Sequence, residues 1–405
     1  MKVSSMRWLD KWAGSVVCFL LTCLRRINIF ERTVAAPPRK IIFIKPAEQG
    51  STVLAYSAIV RATRLVGREN VYFLVFQENR FILDTLNVIP PENVFALRTK
   101  SLFSFCASAL SALRKLRALK IDTSVDLEFF ARSSAILSYC SGARRRVGFH
   151  AYAGEAGYRG DLMTHRVQYN PYLHTSQTFV SLVDAIERPA NSFPAFPSAP
   201  PEAAEELPAF APTAEELLTV RETLRKEAGG TAFSTLVLLN ANCSDLLPLR
   251  KWADANYVAL AKRLLSNQPN LCVAFTGAPD ESPGVQRLIE QIGSSRCVSM
   301  AGKTTLRGLL ALYCVADVLV TNDSGPAHFA TLTPVDVVTL FGPETPKLFG
   351  ARSPRNHVLW ANLVCSPCVS AYNHRFSLCK NNLCMQAITV DQVYETVEQC
   401  LKART

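Results

Sequence analysis

A chain of 405 residues is too long for one ordinary core and suits two domains with attachments. Hydrophobic residues make up 49% of it, so a large core is available and wholesale disorder is excluded. The formal net charge of +11 is not gathered into Lys and Arg blocks interleaved with aromatics, so nothing prompts a nucleic-acid partner; anionic small molecules or an anionic membrane surface account for it equally well. The thirteen cysteines mostly stand alone in apolar stretches, as at Cys106, Cys140, Cys272, Cys297 and Cys314. That is the pattern of small buried hydrophobes in a reducing cytosol, not of a secreted disulfide framework.

Residues 1–36 read as an attachment, a helix and its linker. Trp8, Trp12, Val16, Phe19 and Cys23 fall on one helical face, and the apolar run from Val16 to Leu24 ends at Arg25-Arg26. The run falls short of the roughly 20 apolar residues of a membrane span. With Lys2, Arg7 and Lys11 ahead of it, the segment is expected to lie in the interface of the inner leaflet. A true span and a signal peptide are the rival readings; the arginines directly behind the apolar run count against the second.

From residue 37 to 188 strands and helices alternate. Lys40 to Ile44 is a short apolar run of the kind that forms a buried parallel strand. A turn with Gly50 follows, then a helix with Leu54, Ala58, Ala62 and Leu65 on one face. Val71 to Val75 is a second strand, Leu102, Cys106, Ala109, Leu113 and Leu116 mark a helix, and Val125 to Phe129 is a third strand. Asp126, Glu128 and Arg132-Ser133-Ser134 end that strand and start its helix, and are expected to face the cleft. Residues 189–213 turn Pro- and Ala-rich and lose apolar periodicity, which is linker chemistry. A second alternating series fills residues 214–405: strands at Leu236–Leu239, Leu271–Phe275, Val318–Val320 and Val337–Leu340, with helix faces at Tyr257, Leu260, Ala261 and Leu264 and at Leu306, Leu309, Leu310 and Tyr313. Two doubly wound, Rossmann-like α/β domains facing a cleft are the expected architecture, with an interfacial helix in front.

The segment Thr321-Asn322-Asp323-Ser324-Gly325-Pro326-Ala327-His328 breaks a strand with polar residues. Asp323 or Ser324 is placed to cap the helix that follows, and Gly325 lets the backbone turn closely against a ligand. N–H groups at a helix start favour a pyrophosphate. An ordinary helix cap is the plainer reading of the same residues.

This segment, with Leu340-Phe341-Gly342-Pro343-Glu344-Thr345-Pro346 after it, closely resembles the ADP-heptose:lipopolysaccharide heptosyltransferases, glycosyltransferase family 9, whose fold is GT-B. Asn240-Ala241-Asn242, Arg250-Lys251-Trp252, Gly277-Ala278-Pro279-Asp280-Glu281 and Ala301-Gly302-Lys303-Thr304-Thr305-Leu306 are similar to further segments of that family in the same order. The resemblance runs from about residue 40 to 393. It implies that Ser324, Gly325, Pro326, Ala327 and His328 surround the donor pyrophosphate, with Asp323 near the transferred sugar. Lys251 is then the candidate charge on the phosphates and Glu281 the candidate partner of the ribose hydroxyls; a solvated helix-start lysine and a helix cap are the plainer roles. Asn240, Gly302, Thr304 and Thr305 would line the pocket. The resemblance implies no metal in catalysis and no cofactor, the nucleotide sugar being a substrate.

In the family the acceptor hydroxyl loses its proton to an aspartate directly after the glycine of the first strand-to-helix loop. Here Ser51 follows Gly50, and serine has no useful basicity near neutral pH. Glu48 in the same loop is the candidate substitute; the alternative is a catalytically inactive protein that binds a nucleotide sugar. Gly50, Ser51, Asp126 and Arg132 are the acceptor-side candidates. Arg144 to Arg146 could meet phosphates of a glycolipid acceptor or form a solvated basic turn, and His174 is expected to be structural. A dinucleotide-dependent enzyme would want a Gly-x-Gly-x-x-Gly turn after the first strand, which is missing.

Cys365, Cys368, Cys379 and Cys384 have a spacing that could hold a structural zinc, or they are structural cysteines of a loop before the last helix. The expected function is therefore inverting, metal-independent transfer of a heptose or similar sugar from a nucleotide donor to a glycolipid or oligosaccharide acceptor such as lipopolysaccharide core. The expected place is the cytoplasm, peripherally on the inner face of the inner membrane.

Overall fold

The computed structural model describes residues 3–27, 36–151, 154, 156–190, 202, 205–243 and 247–404. Lys2, residues 28–35 of the first linker, and 191–201, 203 and 204 of the proline-rich stretch lie outside the described residues. Two compact units are present: residues 1–206 with 370–375, and residues 207–369 with 376–405.

The first unit is a six-stranded sheet in the order β3-β2-β1-β4-β5-β6, every pair parallel. Its strands are β1 (Ile41–Ile44), β2 (Val71–Phe76), β3 (Val94–Leu97), β4 (Thr123–Asp126), β5 (Arg145–Phe149) and β6 (His165–Val167). The helices are α1 (Val3–Ile27), α2 (Gln49–Leu54), α3 (Tyr56–Val66), α4 (Arg80–Leu86), α5 (Leu102–Ala118), α6 (Arg132–Cys140) and α7 (Thr175–Asp184). Because side chains alternate along a strand, Ile41 and Phe43 enter one core with Ala58, Ala62 and Phe179, while Ile42 and Ile44 enter another with Ala109, Ala112 and Leu116. Helices thus cover both faces, and all four residues of β1 are fully buried. The return segment 370–375 completes the first core: Ala371 is buried in it, and Tyr372 packs on Phe130 and Tyr169 and donates its hydroxyl to the Tyr169 carbonyl at 2.9 Å.

The second unit repeats the topology, in the order β12-β11-β10-β7-β8-β9, again wholly parallel. Its strands are β7 (Thr235–Asn240), β8 (Leu271–Phe275), β9 (Cys297–Ser299), β10 (Val318–Asn322), β11 (Asp336–Phe341) and β12 (Asn356–Trp360). Around them lie α8 (Ala214–Glu227), α9 (Asp254–Asn267), α10 (Ser282–Ile292), α11 (Leu306–Val315), α12 (Gly325–Ala330), α13 (Pro346–Phe349), α14 (Leu383–Gln386) and α15 (Val390–Lys402). Trp252 is fully buried, stacks edge-on to Tyr257 and donates its indole N–H to the Ile388 carbonyl at 2.9 Å.

The fold is the GT-B arrangement of two doubly wound parallel sheets, with a helix in front. Two local expectations change. The third strand ends at Asp126 instead of running to Phe129, because the Asp126 carboxylate accepts the Glu128 N–H at 3.0 Å and turns the chain. The helix expected around Leu54 to Leu65 is two helices that share Ala55 as a joint.

Candidate functional site

In both sheets the connections run one way from one central strand and the opposite way from its neighbour. In the second unit that reversal falls between β7 and β10, and in the first between β1 and β4. Beyond the carboxyl ends of such strands the connecting loops diverge and leave a crevice. The sequence candidates cluster at these two points.

In the second unit, Asn240 ends β7 and Asn322 ends β10. Asn322 is wholly buried and braces the neighbouring loops: its side-chain Oδ1 accepts the Trp252 backbone N–H at 3.0 Å, and its side-chain Nδ2 donates to the Asn242 carbonyl at 3.1 Å. Asn240 accepts the Asn242 N–H at 3.3 Å and donates to the Thr276 hydroxyl at the same distance. This network fixes both loops against the turn after β10. Ser324 occupies the cap position of α12, but its hydroxyl donates back to the Asn322 carbonyl at 3.1 Å instead of capping the helix. Gly325 sits close to the Phe329 ring, 3.1 Å from where a Cβ would stand. Ala327 and His328 are buried behind it, and Pro326 opens the helix, where no N–H is needed.

The two basic neighbours part company. Lys251 is half-exposed and pairs with Asp254 at 2.8 Å. Arg250 is buried, with Nη1 3.7 Å from the Asp323 carboxylate, and its Nε is buried without a hydrogen-bond partner among the described residues. A buried guanidinium N–H beside the turn is a donor waiting for an acceptor. In the sequence Arg250 stands out only as part of a motif; its signal is its place two residues before a tryptophan whose own burial turns the loop inward.

Glu281 accepts the Ala278 N–H at 2.6 Å, so it closes its own turn, and burial pushes its carboxyl above the usual range. Gly302 has φ +71° and a Cβ there would meet Pro279 at 3.0 Å, so the two pocket turns touch at that glycine. Thr305 caps α11 by accepting the Gly308 N–H at 3.1 Å, and half-buried Thr304 precedes it.

In the first unit the loop after β1 meets the loop after β4. Lys45 is wholly buried; its ammonium donates to the Ala47 carbonyl at 2.9 Å and pairs with Glu128 at 3.1 Å and Glu48 at 3.6 Å. Glu48 has φ +66°, a left-handed conformation that aims its carboxylate back over the loop. One of its oxygens pairs with Arg375; the other accepts the Ser51 hydroxyl at 3.0 Å. Gly50 and Ser51 lie buried in α2. Burial pushes the Glu128 carboxyl up, against the pull of Lys45. Glu128 was legible in sequence as a polar residue at the end of the third strand, but neither Lys45 nor Arg375 stood among the candidates, since nothing local marks a lysine in an apolar strand end as the partner of Glu128.

Asp126 is sealed from solvent and holds Arg159 and the Ser134 hydroxyl; burial raises its carboxyl despite the arginine. Its place is structural. Arg132 is covered by α1, donating from Nε to the Ser15 hydroxyl at 2.8 Å. Arg145 and Arg146 are buried in β5, and Arg146 donates to the Leu162 and Ala143 carbonyls, so neither forms a solvated turn. His174 caps α7 by accepting the Ser176 N–H at 3.2 Å.

None of the thirteen cysteines, all among the described residues, is joined in a disulfide. Cys365 and Cys379 are exposed, and the Cys379 thiol donates to the Asn381 carbonyl at 3.1 Å. Among the described residues no group of three or more His, Cys, Asp or Glu side chains is gathered as a metal would require, so as arranged the four thiols do not converge on one ion. Among the same residues no helix is long and apolar enough to cross a membrane.

The model of glycosyltransferase family 9 (heptosyltransferase) matches residues 109–376. Lipopolysaccharide heptosyltransferase 2 of Salmonella typhimurium is 32% identical over 115 residues, 28% of this chain and 32% of that protein, so the match spans about a third of the relative's length. Among solved structures, E. coli ADP-heptose lps heptosyltransferase II aligns over 90% of this chain and 99% of its own, with TM-score 0.65 and 16% identity. A glycosyl transferase family 9 protein from Veillonella parvula aligns over 92% and 99%, with TM-score 0.69 and 16% identity. At these identities the structures speak to fold.

Proposed function

The chain belongs to glycosyltransferase family 9, the heptosyltransferases, and from that premise we propose that it transfers a heptose or similar sugar from a nucleoside-diphosphate donor to a lipid-linked saccharide such as lipopolysaccharide core. The observation that carries this reading is the turn from Thr321 to His328 at the reversal point of the second sheet, with buried Arg250 beside it. Arg250 is better supported as the phosphate charge than Lys251, whose amine already meets Asp254. Backbone N–H groups after Ser324 add to it, and Asp323 would stand near the sugar. Glu281 keeps the ribose role, with Asn240, Gly302, Thr304 and Thr305 around the base. With the leaving charge met in this way, the reaction proposed needs no metal.

In the step proposed, the acceptor oxygen bonds to the anomeric carbon as the bond from that carbon to the phosphate oxygen breaks, inverting the centre. The nucleoside diphosphate leaves with the electron pair, and Glu48 takes the acceptor's proton. A second reading, binding without turnover, is favoured by one observation: both oxygens of Glu48 are already engaged, by Arg375 on one side and by Ser51 and Lys45 on the other. A panel of nucleotide sugars scored for thermal stabilisation and slow donor hydrolysis tests both. Stabilisation by none sinks them together, stabilisation without turnover leaves the second, and a Glu48→Gln variant with full transfer rate rejects the base.

The place proposed is the cytoplasmic face of the inner membrane, held there by α1. The four cysteines of the loop before α15 are read as structural thiols, and stoichiometric zinc in the purified protein would overturn that.

A further inference from the structure

Helix α1 is built inside out. The side facing the first unit is small and polar, with Asp10, Gly14, Ser15, Cys18 and Thr22 against α6 and the turn before Leu162. The side facing away is large and apolar: Trp8 is 62% exposed, Trp12 58%, Phe19 58% and Ile27 74%. A helix that merely packed on a domain would be turned the other way. Its single acid, Asp10, points inward, whereas Arg7, Lys11 and Arg26 are exposed. Aromatic and apolar residues flanked by cations, with no acid on that side, are complementary to an anionic lipid surface.

The inward face does more than hold the helix down. The Asp10 carboxylate accepts the Ser133 N–H at 2.7 Å and the Arg132 N–H at 3.2 Å, and stands 3.6 Å from the Arg132 guanidinium. Ser15 accepts from Arg132 Nε, and the Cys18 thiol lies 3.8 Å from the Arg132 carbonyl. This approach depends on Gly14, where a Cβ would fall 2.9 Å from that of Arg132. The other end of Arg132 lies by His374, since a Cβ on Gly157 would meet Arg132 Nη2 at 2.6 Å and His374 Nε2 at 2.8 Å. Arg7 donates to the His374 carbonyl at 3.4 Å, and the next residue, Arg375, holds Glu48. Arg132 therefore lies near His374, whose backbone Arg7 of α1 reaches and whose neighbour Arg375 holds the candidate base.

We propose that α1 has two functions on its two faces: the outward face rests on an anionic lipid surface, and Asp10 on the inward face is a positioning residue that sets Arg132 on the acceptor side. Only the role given to Arg132 depends on the transfer reading. The test uses the full chain, vesicles of phosphatidylglycerol or of phosphatidylcholine, and amide exchange at residues 132–134. Wild type and Asp10→Ala sediment with phosphatidylglycerol vesicles and not with neutral ones, while Trp8→Ser/Trp12→Ser loses at least about tenfold in vesicle affinity. Asp10→Ala speeds exchange at residues 132–134 about fivefold, the loss expected for one helix cap, and Asp10→Asn recovers part of it. The tryptophan double variant leaves that exchange unchanged. With ADP-heptose and a deacylated core oligosaccharide, Asp10→Ala raises the acceptor KM and leaves the donor KM alone. Unchanged exchange in Asp10→Ala, equal vesicle binding by the tryptophan variant, or a lipid-independent dimer made through Trp8 and Trp12 overturns the proposal. Wild type without turnover rejects the transfer reading, and the vesicle and exchange results still decide this one.

Discussion

Lys45→Met tests the frame that holds the candidate base. The ammonium is fully buried, 3.1 Å from Glu128 and 3.6 Å from Glu48. At an effective dielectric of about 20, each contact has a gross attraction of about 5 kcal/mol. Burying the ammonium cancels much of that, and Glu48 is partly exposed, so its share is smaller. Removing the cation while leaving the carboxylates is expected to cost ~3–5 kcal/mol. Glu128 supplies a pH signature. Its carboxyl is already pushed up by burial, and without Lys45 it rises further. A carboxyl raised in the folded state favours folding below its unfolded value and loses that contribution as pH climbs through the folded one. The deficit of Lys45→Met is therefore largest at pH 7 and shrinks toward pH 5, and adding Glu128→Gln restores roughly half of it. Urea unfolding, followed by circular dichroism, measures both. A cost below about 1 kcal/mol at pH 7, or a deficit that grows at pH 5, refutes the argument.

On the donor side, Arg250→Met should weaken nucleoside-diphosphate-sugar binding by about 10- to 100-fold, the worth of a charge-assisted contact, whereas Lys251→Met stays within about threefold; calorimetric titration separates them. Stability should also fall with acid through His165. Its ring is buried between the Thr164 hydroxyl at 2.9 Å and the Arg188 carbonyl at 3.0 Å, and burial lowers its pKa to about 4. A depressed folded value means the stabilising share is whole above the ordinary pKa and is lost as pH falls toward the folded one. About 3 kcal/mol should go between pH 6.5 and pH 4, and His165→Gln should flatten that part of the denaturation profile.

The fold was legible because buried parallel strands such as Ile41–Ile44 and Leu271–Phe275 are continuous apolar runs, and helices show one apolar face. Short edge strands were not. β12 is half-buried at most positions and β6 has three residues, so neither carries an apolar run long enough to mark it. Arg145 and Arg146 sit in β5 as buried side chains bonded to backbone carbonyls, which composition reads as a surface turn. Likewise the return of residues 370–375 to the first core depends on Tyr372 finding Phe130 and Tyr169, contacts some 200 residues apart in the chain.

By itself the sequence determined the two wound halves, the polar turn from Thr321 to His328 and the amphipathic first helix, because each is written in neighbouring residues by period or spacing. Only the tertiary structure decided which charges meet. It paired Lys45 with Glu128, Glu48 with Arg375, Arg250 with Asp323 and Asp10 with the start of α6. Those pairings arise where loops from different strands converge at a sheet's reversal point, or where a helix lies across another's end. Ion pairs act through space over a few ångströms, and the distance along the chain carries no trace of them.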